Sequence, residues 1–205
     1  MSFASAVQDA ARLLSIAVPS DVVSSADTAT MQLAAHAHAA GDDLARRADW
    51  SRMVMTTTTT SGPWAVPATF LRLVPGAAVN LTSPAFAPVR GPLASEGLAS
   101  VPRFGATAHL FYGMTGGTMQ FSRALASETV EITYVDARWL ISSDGTTRRL
   151  RATANEDVTL FPEGLLTKAV VWRYRRDKGL PWQDQLAEWE ADIAFEIKQD
   201  RGVTT

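Results

Sequence analysis

The chain has 205 residues, 46% hydrophobic and 20% charged, which is enough apolar material for one domain or two small ones and too much for a disordered protein. Its 19 basic and 21 acidic residues give a formal net charge of −2, excluding the uniformly basic surface of a dedicated nucleic-acid binder. Cysteine is absent, so disulfides, thiolate nucleophiles and thiolate metal sites are excluded, and no stretch approaches the ~18 apolar residues of a membrane span. No basic flank precedes a long apolar core at the N-terminus, so the expectation is a soluble chain that is not exported by a cleaved signal.

From Ser2 to Leu14 the apolar residues Phe3, Ala6, Val7, Ala10, Leu13 and Leu14 recur at helical spacing, with Ser2 as N-cap. A second helix is predicted from about Asp27 to Ala48. It is rich in alanine, buries little area per residue, and therefore calls for neighbours, possible ones including another copy of the chain. Met53 to Thr60 is β-branched and uncharged, a strand ending at Ser61-Gly62-Pro63. Trp64 to Val74, interrupted by Pro67, reads as a short strand, a turn and a strand. Ala77 to Gly105 is dominated by Pro, Gly, Ser and Ala and reads as a long excursion, functional or ordered by a partner, with Ala77 to Pro102 expected to be mobile in the free chain and ordered only in assembly.

Strand patterns return at Ala108 to Tyr112 and Thr118 to Phe121 around Gly113-Met-Thr-Gly-Gly, a hairpin. Val130, Ile132 and Tyr134 alternate with Glu131 and Thr133, and Arg138 to Ile141 and Arg149 to Ala152 flank a second turn at Ser143-Asp-Gly-Thr. Thr159 to Arg201 then reads as two helices. Pro162 opens the first, Glu163 adds negative charge at its start, and Arg173, Arg175, Arg176 and Lys178 load its end. Gly179 closes it with Leu180 folding back, and Pro181 starts the next helix, whose stripe Trp182, Leu186, Trp189, Ile193 and Ile197 is opposed by Asp184, Glu188 and Asp192. Helices, then strands, then helices give an α+β fold divided as residues 1–50, a β domain 51–158 containing the 77–105 excursion, and a helical hairpin 159–205.

The search for chemistry finds no Walker loop, no nucleophile elbow and no His-Glu-x-x-His. Gly113, Gly116 and Gly117 lie between strands, the context of a turn and not of a phosphate cradle. Of the three histidines, His36 and His38 diverge by roughly 160° on a helix and cannot easily share a metal. His38 with Asp42 has a geometry that could hold one, against which stands an ordinary surface contact. His109 is isolated. Asp184, Glu188 and Asp192 form the one acid cluster worth testing, against the plainer reading of a solvated helix face. Trp50, Trp64, Trp139, Trp172, Trp182 and Trp189 read for the most part as core packing, weighed against an interface role, with Trp50, Trp64 and Phe70 expected where helical and β parts meet. Asn80-Leu81-Thr82 matches a glycosylation acceptor, which carries no weight without export. No catalytic, cofactor or metal residue is assigned.

Three segments together resemble the head–tail adaptors of tailed bacteriophages, including the tail tubular adaptors of short-tailed phages. The first is a helix running into Asp49-Trp50, then a Thr-rich strand and Trp64-Ala-Val-Pro-Ala-Thr-Phe-Leu-Arg-Leu-Val-Pro-Gly. The second is Val130-Glu-Ile-Thr-Tyr-Val-Asp-Ala-Arg-Trp-Leu. The third and most specific is Asn155-Glu-Asp-Val-Thr-Leu-Phe-Pro-Glu-Gly-Leu-Leu-Thr-Lys-Ala-Val-Val-Trp-Arg-Tyr-Arg-Arg-Asp-Lys-Gly-Leu-Pro-Trp, followed by Leu186-Ala-Glu-Trp-Glu-Ala-Asp and Asp200-Arg-Gly. Residues 77–102 do not take part, and Met31 to Ala48 matches only in type.

The resemblance implies a helical bundle of N- and C-terminal helix pairs with an inserted antiparallel β domain. By the same resemblance the chain is a structural virion protein, not an enzyme, that forms a ring, dodecameric in that family, beneath the portal. Its partners are then the portal, tail or nozzle proteins and other copies of itself, with DNA passing through the channel without specific binding and no membrane or cofactor involved. The competing readings are a small metal-dependent or carbohydrate-active hydrolase using the acidic face of the last helix, and a ligand-binding module using the β block.

Overall fold

A computed structural model of the chain describes residues 2–76, 78–101 and 109–200. It is a mixed fold of α-helices and antiparallel sheet, as the α+β assignment requires. The chain divides into two compact units: a helical one formed by residues 1–53 with 137–205, and a β unit formed by residues 54–136.

In the helical unit α1 (Phe3–Leu13) starts on a reciprocal cap. The Ser5 amide donates to the Ser2 hydroxyl at 3.1 Å, and the Ser2 amide donates to the Ser5 hydroxyl at 2.9 Å. Its face Phe3, Ala6, Val7 and Ala10 is buried, but Leu13, expected on that face, is 63% exposed because the helix ends there and the chain turns away. α2 (Thr28–Arg47) is capped by Asp27, which accepts from the Thr30 amide at 2.8 Å. Its small residues serve close approach: Ala37, Ala40 and Gly41 are buried, and Gly41 lies against the indole of Trp139 so tightly that no side chain fits.

The β unit contains β1 (Val54–Thr59), β2 (Trp64–Ala65), β3 (Phe70–Leu73), β4 (Val79–Ser83), β5 (Ala87–Pro88), the short α3 (Ser95–Ser100), β6 (Tyr112–Thr115), β7 (Thr118–Phe121) and β8 (Thr129–Asp136). The long β8 is central. β1 pairs along one side of it, Val54 opposite Val135 to Thr59 opposite Val130, while β3 and β4 share its other side end to end and β5 lies outside β4. A second sheet orders β2, β7 and β6. The β6–β7 turn is Gly116-Gly117, both at positive φ (56° and 76°), the backbone a tight two-residue hairpin requires. Alternate residues of β8, Val130 and Ile132, join Val79, Val89, Leu110 and Met119 in a closed apolar core.

The excursion expected over 77–105 is corrected by β4, β5 and α3. Val79, Val89 and Leu98 are buried there, while Pro84 lies in the β4–β5 turn and Pro88 in a two-residue edge strand, positions that need no donated amide. Residues 102–105 lie outside the described residues, as does Ala108, so the strand expected from there begins, as described, with Tyr112.

After Asp136 the chain re-enters the helical unit through a small sheet, β9 (Leu140–Ile141), β10 (Arg148–Arg149) and β11 (Val158–Thr159). Residues 137–158, grouped in the sequence reading with the strands, thus cluster with the helices. The Phe3 amide bonds the Asp157 carbonyl at 2.6 Å and Ser2 bridges Val158, so this sheet is fastened to the start of α1. α4 (Glu163–Asp177) packs against α1, α2 and α5 (Gln183–Asp200). Pro162 stands one position earlier than expected, as the N-cap. The other end follows the sequence: Gly179 at φ 68°, the Leu180 amide on the Arg175 carbonyl (2.9 Å) and the Gly179 amide on the Arg176 carbonyl (3.1 Å) form a Schellman turn. Leu180 itself stays 47% exposed, and Trp189 and Ile193 are the two fully buried members of the α5 stripe.

Candidate functional site

Every group singled out in the sequence can be located except those beyond the described residues. His38 is stacked on Phe3 at 4.7 Å and meets Trp139 edge-on, and burial pushes its imidazole down to about 4, leaving it neutral at pH 7. Asp42, one turn along the helix from His38, accepts from the Trp139 indole at 3.1 Å and from Arg151 at 2.8 and 2.7 Å. Burial raises the Asp42 carboxyl, but the Arg151 and Trp139 hydrogen bonds outweigh it and the net direction is down. Both oxygens are thereby occupied. His36 lies 3.4 Å from Asp177, with desolvation lowering its pKa against that carboxylate, and His109 is exposed in the loop before β6.

The acid face of α5 is also occupied. Lys168 of α4 pairs with Glu188 and, at 2.6 Å, with Asp192, whereas Asp184 stands exposed in the first turn of α5. Among the described residues no group of three or more His, Asp or Glu side chains could hold a metal. Gly113 belongs to β6, where a Cβ would meet the Leu93 carbonyl at 2.6 Å, so this glycine serves packing.

The tryptophans divide between the units. Trp50 donates to the Leu44 carbonyl at 2.8 Å and packs near Phe161, while Trp139 stacks on Phe161 at 5.5 Å. Trp64 and Phe70 both pack on Tyr134 of β8, at 6.1 and 5.6 Å. Sequence reasoning missed a cation–aromatic stack in the helical unit. Arg173 sits 4.2 Å over Trp172 and 5.4 Å from Trp189, Arg47 covers Trp189 at 4.8 Å, and Arg176 covers Trp172 at 5.2 Å. Arg173 is buried and bonded to Asp43 at 3.0 Å, so it is a core residue and not the helix-end charge it resembles. The available signal was Asp43 and Arg47 one turn apart on α2, presenting both charges to one face.

Three features remain that no internal contact uses up. A cleft of about 600 Å³ in the β unit is bordered by every residue from Phe70 to Gly76 and, opposite, by Pro88, Pro92, Tyr112 and Met114. Consecutive residues lining one wall mean that β3 presents its edge, not one face. The outer side of β1 carries no backbone hydrogen bond among the described residues. Finally, Glu163 is 5% exposed and neither carboxylate oxygen has a hydrogen-bond partner, though it borders a cavity of about 290 Å³ together with Arg52 and Asp200.

No protein-family model matches the chain, and no curated protein matches it. No helix among the described residues is long and apolar enough to cross a membrane.

Proposed function

We propose that the chain is a structural head–tail adaptor of a tailed bacteriophage, a ring-forming protein that joins a DNA-filled capsid to its tail beneath the portal. The observation that carries this reading is the interrupted helical unit: α1 and α2 from the start of the chain pack with α4 from its last third, and a contiguous β unit is inserted between them. The resemblance implies a bundle of helix pairs with a β insert, and this packing supports that reading. The occupied carboxylates support the same side. Glu188 and Asp192 are tied to Lys168 and Asp42 to Arg151, so the residues a hydrolase would need have other partners.

In this role the chain needs one surface for the portal, one for the next tail component and a bore along which DNA slides. A net charge of −2 suits the bore, because each uncompensated Lys or Arg facing a phosphate would add salt-sensitive affinity and slow the DNA. The test is to mix the purified chain with its portal and image the complex by cryo-electron microscopy. A ring stacked coaxially on the portal is expected; a portal that stays bare at saturating chain overturns the reading, as does turnover of any substrate by the purified chain.

A further inference from the structure

We propose that the cavity beside Glu163, at the start of α4, is a socket for an arginine side chain of a partner protein. Glu163 is 5% exposed, and neither of its carboxylate oxygens has a hydrogen-bond partner. A carboxylate taken out of water without a counter-charge is costly, and buried charges in proteins are paired. The amides at the start of α4 do not supply the missing contact, and the Leu165 amide is spent on the Pro162 carbonyl at 3.2 Å. The cations around Glu163 do not supply it either. Arg12 pairs with Asp9, Lys168 pairs with Glu188 and Asp192, and Arg52 is exposed and forms no hydrogen bond with Glu163.

Glu163 borders two cavities of the helical unit, and they differ in charge. The one of about 410 Å³ already has Arg12 and Lys168 in its wall. The one of about 290 Å³ adds a second carboxylate, Asp200, and its one cation is the exposed Arg52. A divalent ion does not fit these walls. Among the described residues no three His, Asp or Glu side chains gather, and both Asp200 oxygens are engaged by Ser51, through its amide at 2.7 Å and its hydroxyl at 2.8 Å. A guanidinium brings five donors of its own, sheds water more readily than an ammonium and stacks on aromatic faces, and Phe161 stands in the same wall. The Glu163 carboxylate, shut from water in the free chain, turns about its own side-chain bonds to meet it. One ion pair holds a free cation weakly, but an arginine buried in a pocket is the kind of residue that anchors a wider protein contact. The proposal names a contact for a partner of the adaptor, and rests on that reading only for which protein supplies the arginine.

The probe is N-acetyl-arginine amide, with N-acetyl-citrulline amide as its uncharged isostere, both at constant ionic strength. At about 50 mM the arginine compound should raise the melting temperature of the parent chain by about 2–4 °C, the shift that a site of ~10 mM affinity gives in a chain of this size. Glu163→Gln, which keeps the shape and removes the charge, should lose that shift, and the citrulline compound should give none with either chain. Equal shifts in the two chains, or no shift in the parent, overturn the socket, and so does a shift with magnesium chloride as large as that with arginine. Arg52→Gln should keep the arginine shift and leave the free chain's melting temperature within about 1 °C, as surface changes do. A larger loss in Arg52→Gln that vanishes in the Glu163→Gln background would mean that Arg52 already pairs with Glu163, which overturns the proposal. An arginine shift in the parent, with a portal that stays bare in the imaging experiment, keeps the socket and removes the adaptor reading.

Discussion

Replacing Gly41 by alanine should destabilise the helical unit, although in an exposed helix interior the same change stabilises by roughly 0.5–1 kcal/mol. A Cβ at position 41 would fall within 2.5 Å of the Trp139 carbons Cζ2, Cε2 and Cη2. Ordinary carbon contacts lie at about 3.5–4.0 Å, so the ring or the helix must yield by on the order of 1 Å. Trp139 has nowhere to go: it is fully buried, stacked on Phe161 and bonded through its indole nitrogen to Asp42. Overpacking of about 1–3 kcal/mol, with about 1 kcal/mol or more for a strained indole hydrogen bond, outweighs the helix-propensity gain and leaves a net loss of roughly 1–3 kcal/mol. Urea titration followed by tryptophan fluorescence should show a lower midpoint with an unchanged slope, and Gly41→Ala should cost less in a Trp139→Leu background. A Gly41→Ala chain as stable as the parent, or additive with Trp139→Leu, refutes the contact.

Trp189→Ala should lose about 3–5 kcal/mol, since it empties a fully buried site and removes the indole bond to the Leu165 carbonyl (2.8 Å), whereas Glu188→Ala should stay within about 0.5 kcal/mol; equal shifts of the urea midpoint would mean that the face of α5 is misassigned. His38 takes up its proton near 6.5 when unfolded but only near 4 when folded, so the neutral form is the folded one and stability falls with pH through that window, by roughly 3 kcal/mol between pH 7 and 4. A His38→Phe chain should lack that component, and parallel stability–pH curves for the two chains would exclude it. Glu163→Gln should raise stability by about 1 kcal/mol, because an unpartnered buried carboxylate costs several kcal/mol and the favourable charge at a helix N-terminus returns only part of that; a lower melting temperature would show that the carboxylate has a partner in solution.

Local chemistry was legible where it acts locally. Asp27 and Ser2 cap because their side chains reach amides three residues on, and Gly179 stops α4 because only a residue at ease with positive φ can follow Lys178 there. Long-range partners were not legible. Val79 and Leu98 sit among prolines and serines with no period of their own; Val79 is buried by pairing with β8, far along the chain, and Leu98 by α3 lying against β6. Residues 137–158 look like more strand, yet β11 belongs with α1 through the Ser2–Val158 bridge, a pairing that nothing near either residue announces. The α5 carboxylates read as a solvated face, and what they lacked in the sequence was Lys168, one helix earlier and placed against them only by the Schellman turn.

The central place of α4 sets a timetable for synthesis. The β unit is contiguous and can close as soon as Asp136 has left the ribosome, but α1 and α2 find their main partner only when residues 163–177 emerge. At roughly 5–20 residues per second the two N-terminal helices, with their buried Phe3, Val7, Leu33 and Leu44, wait on the order of 5–25 s for α4. During that interval the chain displays apolar helices and an open β1 edge side by side with a finished sheet. The last third of the sequence thus governs when, as well as whether, the N-terminal helices cover their apolar faces, and truncations after Thr159 should partition into aggregates in pulse-labelled cells while the isolated 54–136 fragment remains the best-behaved piece.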